Sequence, residues 1–270
     1  MTKVAERIVT RVMGNWERPD GHGIADLHMH SSLGDGMASI YQILEYVEHK
    51  TDLDVIAITD HDDIRGSYQA RELAAKKNYR FEVVTGMEVT TLHGHLIAVF
   101  IEEPVAPLAR LDTTVEAIHK QGGLCIVPHP MSWLMRSIGQ TTLDRFSYRR
   151  DGIHLNGIEL VNSNIAARIS YEKSKRLNRK RYHLAETGAS DAHFLVMIGS
   201  GYTVFPGKTA ADLKQALIDR TTNAGSNGPV SLKKIGYGRV LKQLMFKGSP
   251  LIGIPKLLAK KFGRSKETSK

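Results

Sequence analysis

Residues 24–31, Ile24-Ala25-Asp26-Leu27-His28-Met29-His30-Ser31, decide how this 270-residue chain is read. The apolar start marks a strand over Ile24–His28, and the run ends with two imidazoles one residue apart. Period-two alternation puts His28 and His30 on the same side of a strand, where they can share a cation. A lone buried histidine is more often a satisfied core residue than a ligand. The weight therefore falls on whether other strands end in the same way.

They do. Asp54–Thr59 reads as a β-branched strand and runs into Asp60-His61-Asp62. The strand Phe81–Thr85 leads to Gly86-Met87-Glu88, and His93-Gly94-His95 opens the strand His95–Phe100. Leu124–Val127 stops at Pro128-His129-Pro130, and Gly157–Val161 ends in Asn162-Ser163. Leu184–Thr187 precedes Ser190-Asp191-Ala192-His193, and Tyr202–Phe205 is a late strand. Helical patterns lie between them: Ser39–Lys50 with Ser39 as its cap, Ile64–Lys77, Thr113–Lys120, Ala166–Arg179 and Ala210–Ile218.

Strands alternating with helices imply a largely parallel sheet, either a barrel or doubly wound. In such folds the carboxyl ends of the strands converge on one face, where sites form. Imidazoles and carboxylates gathered there select Zn, Mn or Fe over Ca. A bridging carboxylate holds two cations about 3.5–4 Å apart. His93 and His95 share a strand face, so parity alone leaves the choice between them open. Asp60 and Asp62 read as groups that orient His61. His22, His49, His119, His154 and His183 read as loop, helix-face or surface residues.

Segment 131–156 interrupts the rhythm and reads as an insertion beside the site. It supplies Arg136, Arg149 and Arg150 as candidate phosphate contacts, since a guanidinium matches phosphate oxygens in pairs. Asn162 is a further candidate for binding substrate.

The net charge of +9 points to a polyanion partner until it is located. Residues 231–270 hold eleven Lys/Arg and one acid, a net of +10, so residues 1–230, with 26 basic and 27 acidic groups, carry −1. The basic character belongs to a tail. Short apolar pieces among its lysines suggest two basic amphipathic segments able to touch nucleic acid or an anionic membrane surface. A solvated tail, or a flap docked on the body, is the alternative.

The single cysteine, Cys125, lies in the apolar run 124–127 and reads as a small core residue without a disulfide partner. No run of about 18 apolar residues marks a membrane span. With no apolar signal core at the start, the expected location is cytoplasmic.

Six motifs in order (Asp26-Leu27-His28-Met29-His30-Ser31, Thr59-Asp60-His61-Asp62, Gly86-Met87-Glu88, His95-Leu96, His129-Pro130 and Ser190-Asp191-Ala192-His193) resemble the PHP family, the polymerase and histidinol phosphatase domain. The resemblance implies an α/β fold: a distorted seven-stranded (β/α) barrel in a single domain with a basic C-terminal tail. The barrel is expected at 23–225, while weak periodicity marks 1–22 as a lead-in and basic composition marks 226–270 as a tail. It also implies two or three divalent metals, Mn, Zn or Fe. His28, His30, Glu88 and Asp191 would hold one, and Asp35, His61 and His193 a second. Glu88, His95 and His129 would hold a third, with Glu88 bridging.

The activity so implied is hydrolysis of a phosphate mono- or diester of a small molecule or nucleotide by metal-activated water. Asp191 and His193 are its candidate catalytic groups. A nuclease acting on short RNA or DNA is the first alternative. A non-catalytic module that keeps its metals and docks to membrane through the tail is the second.

Overall fold

The computed structural model describes residues 18–149, 151–164, 167 and 169–246. Most of the expected lead-in, the last part of the tail and Arg150 lie outside these residues.

Ten strands and eight α-helices follow the chain among the described residues. They are β1 (His22–Asp26), α1 (Ile40–Lys50), β2 (Val55–Ile56), α2 (Arg65–Lys77), β3 (Glu82–Val83), β4 (Gly86–Thr91), β5 (Gly94–Val99), α3 (Leu111–His119) and β6 (Leu124–Val127). Then come α4 (Gln140–Ser147), β7 (Gly157–Asn162), α5 (Tyr171–Leu177), β8 (Ala185–Ala189), β9 (Gly201–Pro206), α6 (Ala210–Asp219), β10 (Asn223–Ser226), α7 (Leu232–Ile235) and α8 (Tyr237–Phe246). A π-helical turn, Asn178–Tyr182, prolongs α5.

The strands form two five-stranded sheets, ordered β10-β9-β1-β2-β3 and β4-β5-β6-β7-β8. The expected α/β single domain is present, but in place of a distorted seven-stranded barrel the strands make these two sheets, and no continuous ladder closes a ring among the described residues. Single bridges, Met29↔Ala192 and His61↔Glu88, link the strand-end segments of the two sheets.

Antiparallel pairing explains the departure. Gly86-Met87-Glu88 is not the end of the Phe81–Thr85 run but the start of β4, which pairs antiparallel with β5 through a turn at Leu92-His93. No helix separates the two strands. At Gly86 a Cβ would sit 2.6 Å from the Ala98 carbonyl oxygen, so only glycine admits this approach. β5 pairs antiparallel with β6, and β9 with β1 and β10.

The helix starts follow local chemistry. Ser39 caps α1 in a capping box with Gln42, and Thr209 caps α6 in one with Asp212. Ile43, Leu44 and Val47 of α1 pack under the first sheet with Ile24, Ile56 and Ile58. Buried apolar strands on both faces account for the near-continuous runs in the sequence.

The candidate metal centre

His28 and His30 lie just past the end of β1, buried, with their Nε2 atoms 3.2 Å apart. Imidazole nitrogens at this distance either share a ring proton in a hydrogen bond or share a cation. About 3.3 Å is the ligand–ligand spacing around a cation with bonds near 2.0–2.1 Å. Both nitrogens also face Glu88 Oε2, at 3.2 and 3.5 Å, and Asp191 Oδ1, at 3.5 and 3.3 Å.

Glu88 divides the site. Its Oε1 faces His95 Nδ1 at 2.9 Å and His129 Nε2 at 3.3 Å. Its Oε2 faces His28, His30 and His61, the last at 3.1 Å. Asp35 stands on the other side, 3.1 Å from His193 Nε2, 3.5 Å from His30 Nδ1 and 3.8 Å from His61 Nε2. The nine expected ligands thus fall into overlapping triplets whose donor atoms lie within 4.8 Å of one another. His30 Nδ1, His61 Nδ1 and Asp35 Oδ1 are buried without a hydrogen-bond partner, although each is near an opposite charge. Orphaned donors in this number fit a cation set between them better than a hydrogen-bonded network.

Charge at the site is interlocked. Burial alone would raise the Asp35 and Asp191 carboxyls, but the surrounding histidines, led by His193 and His28 respectively, outweigh it and hold both well below the carboxylate range. Burial also opposes charge on Glu88, whose carboxyl His61, His95 and His28 hold far below its usual value. His28 is driven up, against its burial, by Asp191, Glu159 and Glu88. His193 rises to about 9 as Asp35 overcomes burial. Burial wins at His61, which falls to about 4.

Glu159 escapes sequence reading. It is buried in β7, and its Oε1 sits 2.8 Å from His28 Nδ1. Its Oε2 accepts from the His129 N–H at 2.9 Å and from Asn162 Nδ2 at 2.9 Å. A carboxylate behind a ligating imidazole fixes the ring and its tautomer. The available signal was a lone carboxylate inside the apolar strand Gly157-Ile158-Glu159-Leu160-Val161.

The geometry separates the other candidates. His95 reaches Glu88, whereas His93 Nδ1 accepts from the Leu111 N–H at the start of α3. Asn162 enters the site, donating to Glu159 and, at 3.5 Å, to Asp191. Arg136 contributes its carbonyl, which accepts from the His95 N–H at 2.8 Å. Arg149 does not join the cluster: it is held by Asp151 and Asp112 and lies over the Phe146 ring, so the local carboxylates take the guanidinium expected for phosphate. Asp60 and Asp62 brace backbone, Asp60 accepting from Ser31 and Asp62 from the Thr90 N–H, while His61 turns both nitrogens to Glu88 and Asp35. His129 and Asp191 hold positive φ, 32° and 50°, a strained backbone at two of the expected ligands.

Residues 172–222 match the family model described as PHP-associated. An uncharacterised protein of Methanocaldococcus jannaschii is 34% identical over 150 residues, 52% of this chain and 81% of that protein. The chain belongs to the PHP family of metal-dependent phosphoesterases. It is also 33% identical over 103 residues to a phosphoribosyl 1,2-cyclic phosphate 1,2-diphosphodiesterase of Eggerthella lenta, spanning 36% of this chain and 38% of that enzyme. Among solved structures, this PHP chain resembles a two-domain protein of Bacteroides vulgatus containing a predicted PHP-like metal-dependent phosphoesterase. The TM-score is 0.63 at 19% identity, over 79% of this chain and 68% of that one. That likeness concerns the fold.

Proposed function

We propose that the chain hydrolyses a phosphate mono- or diester of a small molecule or nucleotide, using two or three divalent cations, Mn, Zn or Fe, held by His28, His30, Asp35, His61, Glu88, His95, His129, Asp191 and His193. The carrying observation is Glu88, whose two oxygens face two different sets of imidazoles, the arrangement of a bridging carboxylate. The Eggerthella relative, named for cleaving a phosphodiester, supports keeping diesters within the reading.

When bound, the cations would supply a water of lowered pKa and positive charge for the phosphoryl oxygens. The chain does the rest. Glu159 holds His28 in one tautomer and fixes His129 by its backbone N–H. Asn162 ties Glu159 to Asp191. His193 spends Nδ1 on the Asp191 carbonyl oxygen and Nε2 on Asp35, so as a ligand it keeps no nitrogen for proton transfer. Ligation is the role its geometry supports. The burial of these groups excludes bulk water and strengthens each charge contact.

Activity on p-nitrophenyl phosphate, with Mn and with chelator, tests the reading. Glu88→Gln keeps the shape of the side chain and removes its charge, and is expected to lower the metal-dependent rate by about a hundredfold or more, as loss of a principal electrostatic group does. Full activity in Glu88→Gln, or in chelator, would sink it.

A further inference from the structure

The last described helix is two-faced. On its inner side Val240 packs against the core beneath the first sheet. Gln243, 3% exposed, donates its Nε2 to the Asp35 carbonyl oxygen at 3.4 Å. The helix therefore rests on the loop that carries one wall of the metal centre. On its outer side Tyr237, Leu241 and Met245 are 69%, 56% and 63% exposed. Spaced i, i+4 and i+8, they form one stripe down the helix. Leu232 of α7 adds a fourth large apolar side chain in solvent.

Lys233 and Lys234 of α7 and Lys242, next to Leu241 on α8, are exposed, as is Arg239 on another side of α8, and no acid occurs among residues 231–246. None of the four cations has an ion-pair partner among the described residues. A purely nucleic-acid-binding face needs cations but gains nothing from a row of Leu, Met and Tyr turned to water. An apolar stripe flanked by lysine on a helix lying flat on a protein is what an anionic lipid surface accepts: the stripe enters the headgroup–acyl boundary and the cations meet phosphates. Tyrosine suits that boundary, since its ring is apolar and its hydroxyl stays wet.

We propose that α7 and α8 form a docking surface for an anionic phospholipid bilayer, with Tyr237, Leu241 and Met245 inserted and Lys233, Lys234 and Lys242 on the headgroups. Gln243 anchors the helix to the Asp35 loop from the side away from the stripe, and the docking does not rest on the hydrolase reading.

The test is sedimentation of the full chain with vesicles of three parts phosphatidylcholine to one part phosphatidylglycerol, and with phosphatidylcholine alone. Binding is expected to the mixed vesicles and to be much weaker to the neutral ones. Leu241→Ser with Met245→Ser, both at exposed positions, should weaken it roughly tenfold or more, the loss expected when two apolar side chains no longer leave water. Lys242→Gln should weaken it about fivefold, the worth of one cation near such a surface.

Hydrolysis of p-nitrophenyl phosphate by these variants should stay at the wild-type level, so a failed docking test and a failed hydrolase reading are told apart. Four outcomes would overturn the inference. One is equal binding to both vesicles, and another is unchanged binding by the Leu241/Met245 variant. The third is binding to duplex DNA with none to vesicles. The last is a wild-type dimer that Leu241→Ser and Met245→Ser convert to monomer, which would make the stripe an interface between copies.

Discussion

The residue that most repays attention is Glu159, because its effect is indirect. Its carboxylate is 2.8 Å from His28 Nδ1 and holds the His129 backbone as well. Glu159→Gln should leave the fold intact and weaken metal affinity roughly 10–100-fold, the usual cost of losing such a partner. A competition titration against a metallochromic dye measures this, and an unchanged affinity would remove Glu159 from the site's support. The metal centre also has a definite pH sense. Bound imidazoles must be neutral, and carboxylates hold His193 up to about 9 and His28 well above its usual value. Protons therefore compete with cations, so apparent affinity should rise with pH toward about 9, and loading near neutral pH should release protons. Calorimetry in buffers of different ionisation enthalpy reads the released protons directly. Cys125 has the opposite fate: burial pushes its thiol far up and leaves no thiolate. It should resist iodoacetamide in the folded protein and react on denaturation. Rapid labelling of the native chain would contradict that burial.

At the scale of elements, α1 was legible from its signals. Ser39 is the expected cap, completed by Gln42 in a capping box, and the apolar positions Ile43, Leu44 and Val47 fall on the buried face. Ser39→Ala should cost about 1 kcal/mol, and Leu44→Ala, at a fully buried position, about 2–5 kcal/mol. Denaturant titration distinguishes the two, and a near-neutral Leu44→Ala would mean that the helix is not packed as described. The strands were legible as apolar runs but not as pairs. The β4–β5 hairpin was hidden because both of its strands are buried along their whole length, which erases the in–out alternation that normally marks antiparallel strands. β10 was missed for the converse reason: Asn223-Ala224-Gly225-Ser226 has no apolar signature, and its place follows from pairing with β9. The glycine there is required by contact, since a Cβ on Gly225 would strike the Tyr202 ring at 2.2 Å.

For the whole molecule, the cluster of imidazoles and carboxylates joins the two sheets. Its groups come from the segments after β1, β2, β6 and β8 and from β4 and β5, and bound cations would relieve their repulsions and desolvation. Divalent metal at a hundredfold excess over its Kd should add about 2.7 kcal/mol for each independent site. The corresponding rise in Tm should vanish in chelator; an identical Tm with and without metal would show that the centre does not hold cations. Among the described residues no helix is long and apolar enough to cross a membrane. The sequence by itself determined which imidazoles and carboxylates follow which strands and the Ser39 cap that starts α1, because these depend on local spacing and side-chain chemistry. Tertiary structure alone decided that Glu159 stands behind His28, that Arg149 pairs with Asp112 and Asp151, that β4 and β5 form a hairpin, and that the strands fall into two five-stranded sheets. Those outcomes depend on which distant segments meet in space, and periodicity along a single chain carries no record of that.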